Sequence, residues 1–132
     1  MMTGRTVSRT LLTLGSVVLL VAAAMHCVAY GKFAAPALHG SNLPKTMQSV
    51  FEIGFLSMAW SWFVLGLIVL IVSCGEARMG KTIALVCGFA VLLQAAWTVS
   101  LVGFFIGNEM IGAASVLIII GGFFLRGSRA ES

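Results

Sequence analysis

The stretch LLTLGSVVLLVAAAMHCVAY, residues 11–30, runs for twenty residues without a Lys, Arg, Asp or Glu. A helix needs about 20 predominantly apolar residues to cross the ~30 Å hydrocarbon core of a bilayer, and this segment meets that length. Another pattern competes for the same residues. Arg5 and Arg9, the apolar run and the triplet Ala22, Ala23, Ala24 match the three-part design of a secretory signal with a cut after Ala24. The run continues through Val28, Ala29 and Tyr30, past the ~7–15 apolar residues of a signal core, so a retained spanning helix is expected. A lipoprotein-type cut before Cys27 would put bulky His26 where a small residue belongs.

Three further segments repeat the pattern, Phe51 to Ser73, Thr82 to Phe105 and Asn108 to Leu125. The chain has 132 residues, 60% of them apolar and only 9% charged, with a mean hydropathy of +1.08. A soluble domain carries about 25% charged residues, so the solvent for most of this surface is lipid. Barrel strands would be about 10 residues of alternating character, whereas these runs are longer and uniformly apolar. The expected fold is all-α, an integral membrane antiparallel bundle of four transmembrane helices forming a single membrane domain over residues 1–132. The helices are expected at about 11–30, 51–73, 82–105 and 108–125. Gly31 and Gly75 stand where left-handed C-caps belong, and Gly107 with Asn108 is expected to end the third helix and begin the fourth.

The charges report orientation. Arg5 and Arg9 precede the first segment, Arg78 and Lys81 lie between the second and third, and Arg126 and Arg129 follow the fourth, against Lys32 and Lys45 alone on the other side. Cytoplasmic loops carry the excess of Lys and Arg, which predicts cytoplasmic N and C termini and an outer loop over 31–50, its PKTMQS portion helical from near Pro44. The location is then the cell membrane, multi-pass, the inner membrane if the source is a bacterium. The net charge of +4 forms no basic stripe or run, so no nucleic-acid partner is expected.

No catalytic, nucleotide or metal motif occurs. Cys27, Cys74 and Cys87 are an odd count without C-x-x-C spacing, which argues against a redox pair, a disulfide framework or attached haem, and no cofactor is expected. Polar groups inside lipid are costly and become functional candidates. Cys87, Gln94 and Thr98 share one helix face, with Gln94 near mid-membrane as an interhelical hydrogen-bonding group. Ser49-Val50-Phe51-Glu52 reads as a capping box, and Glu109 suits the first turn of the fourth helix, where the helix dipole favours an acid. His26 and Tyr30 stand at i and i+4 near the outer end of the first helix, with Tyr30 suited to an interfacial belt. The candidate ligand-binding residues are therefore His26, Tyr30, Glu52, Gln94, Thr98 and Glu109, with His26, Glu52 and Glu109 expected to converge beneath the outer loop. Trp60, Trp62 and Trp97 are expected to pack the bundle. Gly103 with Gly107 and Ala84 with Gly88 have the spacing of small residues that permits close helix approach.

These features favour a non-enzymatic binder of a lipid-like or hydrophobic ligand, or of a membrane partner, with membrane lipids and a second copy or another membrane protein as its expected company. A proton-coupled carrier acting as an oligomer and a membrane-embedded enzyme on a lipid or quinone follow in that order. Small multidrug transporters share the helix count, but the glutamate expected within their first helix is absent here, where His26 is the ionisable group. Reporters fused at Ser132 and near Asn42 are expected on opposite sides of the membrane, with the Ser132 fusion cytoplasmic; an external Ser132 fusion would overturn the topology.

Overall fold

The computed structural model describes residues 4–75 and 79–125. Within them all regular structure is helical, and four spans are long and apolar enough to cross a membrane. The first span comprises α1 (Gly4–Ala29), a π-helical turn (Tyr30–Ala34) and α2 (Ala35–His39). The others are α3 (Lys45–Cys74), α4 (Gly80–Val102) and α5 (Ile106–Phe124). Of the charges that set the expected orientation, Arg78, Arg126 and Arg129 lie outside the described residues.

The core is organised around α1, which packs extensively on both α3 and α5; α4 packs on α5, and α3 meets α4 only sparsely. The buried stripe of α1, Ser8, Leu12, Ser16, Leu19 and Ala23, recurs every three to four residues, the spacing of one helix face. Lipid tails are as apolar as leucine, so helices associate through close packing and hydrogen bonds rather than by escaping water. Small residues let the backbones approach. A Cβ at Gly15 would stand 2.7 Å from Ile118 Cγ1 and 3.0 Å from the Ala114 carbonyl oxygen. One at Gly121 would stand 2.9 Å from Leu12 Cγ, and one at Gly66 would meet Leu20 at 3.1 Å. Gly88 and Gly122 do the same between α4 and α5, against Ile119 and against Leu85 and Ala84. Ser8 Oγ donates to the Gly121 carbonyl at 2.7 Å, Thr13 Oγ1 donates to Ser73 Oγ at 3.1 Å, and an Arg9 guanidinium N–H donates to the Gly75 carbonyl at 3.1 Å. These contacts pair early residues of α1 with late residues of α3 and α5.

Several boundaries differ from those expected, each for a local reason. The first helix does not stop at Gly31. Pro36 cannot donate to the carbonyl four residues back and would clash with it in a regular α-helix; the preceding turn widens instead, with the Ala35 N–H bonding to the Tyr30 carbonyl, and helix resumes to His39. At the other side of the connection the helix expected from near Pro44 is present, but it is continuous with the span expected from residue 51: α3 starts at Lys45, with Pro44 as N-cap at φ −55° and ψ 143°. The expected outer loop over 31–50 thus shrinks to 40–44. Ser49 and Glu52 lie inside α3 and form no capping box; the α3 N-cap makes no side-chain hydrogen bond. Gly75 caps α3 with extended backbone, φ −91° and ψ 177°. Gly103 is the described residue with positive φ, +79°. It ends α4 two residues before Phe105, so the tight α4–α5 turn pivots there, and the Asn108 side-chain N–H closes it on the Gly103 carbonyl at 3.0 Å. Gly103 and Gly107 consequently belong to different elements and make no helix-packing motif, whereas Ala84 and Gly88 are both buried in one.

Lengths are unequal. The four spans measure 36, 30, 23 and 19 residues. Beyond the level where Trp62 of α3 bonds to Gln94 of α4, α4 runs eight residues to Val102 while α3 runs seventeen back to Lys45, a difference of roughly 13 Å at about 1.5 Å per residue. The α1–α2 and α3 pair therefore outreaches the α4–α5 turn.

Because the Ala114 carbonyl is backbone and cannot swing aside, Gly15→Val is expected to lower stability by about 1–3 kcal/mol, read as a fall in apparent Tm in detergent. Gly112→Ala, which meets nothing within 4 Å, is the matched control and should be neutral or stabilising by up to about 1 kcal/mol.

Candidate functional site

Followed toward the Tyr30 end, the core-facing stripes of α1 and α3 change character. On α1 the apolar and small residues give way to His26 and Tyr30, continuing the same spacing. On α3 the buried series Ser73, Val69, Gly66, Trp62 and Ala59 continues as Phe55 and Glu52. Tyr30 is buried, with 8% of its surface exposed; His26, Glu52 and Phe55 are half-buried. Tyr30 is thus a core residue and not part of an exposed interfacial belt.

Aromatic contacts hold these groups in place. The His26 ring stacks on Phe55 with centroids 4.0 Å apart and planes at 14°, and it meets Trp62 edge-on at 4.9 Å and 69°. Tyr30 lies against the same Phe55 at 5.3 Å. Trp62 Nε1 donates to Gln94 Oε1 at 2.9 Å, the interhelical role expected of Gln94, and this bond links α3 to α4 where their packing is thin. Thr98 Oγ1 donates to the Gln94 main-chain carbonyl at 2.9 Å, so its hydroxyl is satisfied within α4.

Two polar atoms in this cluster are buried without a hydrogen-bond partner, His26 Nε2 and the Tyr30 hydroxyl. The Glu52 carboxylate is close enough to act on the Tyr30 hydroxyl, although no direct hydrogen bond joins them. No ion pair among the described residues neutralises Glu52. An unmade hydrogen bond at a buried polar group costs about 1–3 kcal/mol, so the pair of orphaned atoms is a substantial local debt.

Glu109 takes the expected first-turn position of α5 but is exposed. Its neighbour Asn108, 4% exposed, occupies the core-facing stripe instead. His26, Glu52 and Glu109 therefore do not build one pocket: Glu109 stands off the stripe, and the polar cluster is made by His26, Tyr30 and Glu52, with Gln94 reached through Trp62. Among the described residues no three His, Cys, Asp or Glu side chains gather as a metal site. The three tryptophans divide: Trp62 is in the core, while Trp60 and Trp97 are 66% and 68% exposed and face outward. Phe55 and Trp62 are the site residues that sequence reasoning missed. Extending the spacing Glu52, Phe55, Ala59, Trp62 would have found them, had Glu52 been placed within a helix and not at its cap.

Beside the cluster, on the outer flank of the α1–α3 seam, runs an apolar groove of about 730 Å³. Leu20, Ala24 and Cys27 of α1 and Leu56 and Trp60 of α3 line it, and the buried alanines Ala23 and Ala59 lie at its floor. Cys27 and Cys74 are exposed free thiols and Cys87 is buried. Comparison with protein-family models, with curated proteins and with solved structures finds no match for this chain.

If the Trp62–Gln94 bond holds α3 to α4, Trp62→Phe and Gln94→Leu should each destabilise the bundle, and the double variant should cost less than their sum. A coupling of about 0.6–2 kcal/mol is expected for one such bond in a membrane protein, measured by a double-mutant cycle of unfolding in mixed micelles.

Proposed function

We propose that this chain is a non-enzymatic multi-pass membrane protein, an antiparallel bundle with both termini cytoplasmic, that binds a lipid-like or small hydrophobic ligand between α1 and α3. The observation that carries this reading is the apolar groove of about 730 Å³, which falls within the range of roughly 300–1,000 Å³ typical of small-molecule sites. Its alanine floor leaves room for a chain where larger side chains would have closed the seam. The pairing of early α1 residues with late residues of α3 and α5 supports the antiparallel arrangement, and the Lys and Arg distribution supports the orientation. In that arrangement the groove and the His26, Tyr30 and Glu52 cluster lie in the outer half of the membrane, with membrane lipids as the immediate source of ligand.

A second reading, a small proton-coupled carrier acting as an oligomer, draws on one observation: Glu52 is half-buried on the core-facing stripe and has no ion-pair partner among the described residues, as a titrating group in a transport path would be.

Native mass spectrometry in a gentle detergent is the direct test. The wild-type chain is expected to retain a hydrophobic ligand, and Ala24→Trp, which fills the groove, to lose it while keeping its Tm. Full retention by the folded Ala24→Trp protein would overturn the groove as the site.

A further inference from the structure

We propose that the ligand's polar end is an ammonium group, seated among Glu52, Tyr30 and His26 at the end of the bundle core; this rests on the binding reading above and adds the head-group chemistry. Three observations point the same way. Glu52 puts a carboxylate on the core-facing stripe of α3 with no ion pair among the described residues, and a half-buried charge in low dielectric is strongly favoured by a counter-charge. The Tyr30 side chain is more than nine-tenths buried, and its hydroxyl, like His26 Nε2, has no hydrogen-bond partner. Both atoms can accept, the imidazole nitrogen in the tautomer that carries its proton on Nδ1. An alkylammonium brings one positive charge and three N–H donors, which matches a carboxylate and two acceptors.

The surroundings discriminate among other head groups. Phe55 and Trp62 pack against His26 and hold its ring in place. An anionic head beside the Glu52 carboxylate would set two like charges together. An alcohol or a water molecule would satisfy the two orphaned atoms and leave the carboxylate unneutralised. Cys27 and Ile53, which line the groove, directly follow His26 and Glu52 in sequence, so the groove runs along the flank of α1 and α3 next to the face that carries the cluster.

The test uses the full chain in nanodiscs of zwitterionic lipid, with empty nanodiscs subtracted to remove partitioning. Titration calorimetry compares dodecylammonium, dodecanol and laurate. Dodecylammonium is expected to bind about tenfold or more tighter than dodecanol, as charged hydrogen bonds require, and laurate weakest. Glu52→Gln should abolish the ammonium preference while dodecanol still binds, which also shows that the variant is folded. Tyr30→Phe, nearly isosteric, should weaken ammonium binding several-fold. Unchanged ammonium affinity in Glu52→Gln, or equal affinity for all three chains, would overturn the ammonium assignment and leave the groove reading standing. If none of the three chains binds, both readings are overturned.

Discussion

The structure depends on how closely the backbones of α1 and α5 approach. At Gly15 and Gly121 even a methyl group would sit under 3 Å from the opposing side chain, so the two helices are in contact at their main chains. In a solvent that gives no hydrophobic drive to helix association, such contact is what makes one packing better than its neighbours. With α1 fixed against α5, its flank is left to receive α3 at Gly66, and α5 in turn receives α4 at Gly88 and Gly122. The azimuth of α1 is thereby set along its whole length. His26 and Tyr30 point into the bundle because Leu12 and Leu19, several turns away on the same stripe, do.

That constraint also explains what was legible in the sequence. Spanning length and hydropathy are written plainly in residues 11–30 and their three counterparts, and Ala84 with Gly88 announced a packing face. Helix ends were harder. Pro36 and Gly31 look like stop signals, but a widened turn absorbs the proline, and Ser49 with Glu52 imitates a start that Pro44 had already supplied. The site was half readable: His26 with Tyr30 and the face carrying Gln94 stand out because polar residues are rare in lipid. Their aromatic partners do not. In a run as apolar as α3 no periodicity separates Trp62 in the core from Trp60 outside it, and only the contact with α1 tells them apart.

Ser8 and Thr13 bond across the bundle, but the other hydroxyls and the rings differ in where they find partners. Ser16, Ser57, Ser61, Ser100, Ser115 and Thr98 each donate to a carbonyl three or four residues back in their own helix. Short side chains reach their own backbone, and lipid or neighbouring helices need supply nothing. His26 and Tyr30 carry their polar atoms at the far end of a ring, out of reach of that backbone, and must find partners across the bundle. Between helices they meet chiefly aromatic faces. The chemistry of the site thus follows from side-chain length as much as from polarity.

The unequal helix lengths have a consequence for the membrane itself. A bilayer matched to α5, 19 residues or about 29 Å, would leave the tip of the longer pair outside, with Phe33, Val50 and Phe51, each more than half exposed, in the head-group layer or beyond it. A thicker bilayer, or a greater tilt, would draw those residues into hydrocarbon and carry the cluster around Glu52 deeper below the surface. Hydrophobic mismatch costs only fractions of a kcal/mol per Å, but here it would act on the same helices that hold the polar cluster, which ties the depth of Glu52 to bilayer thickness.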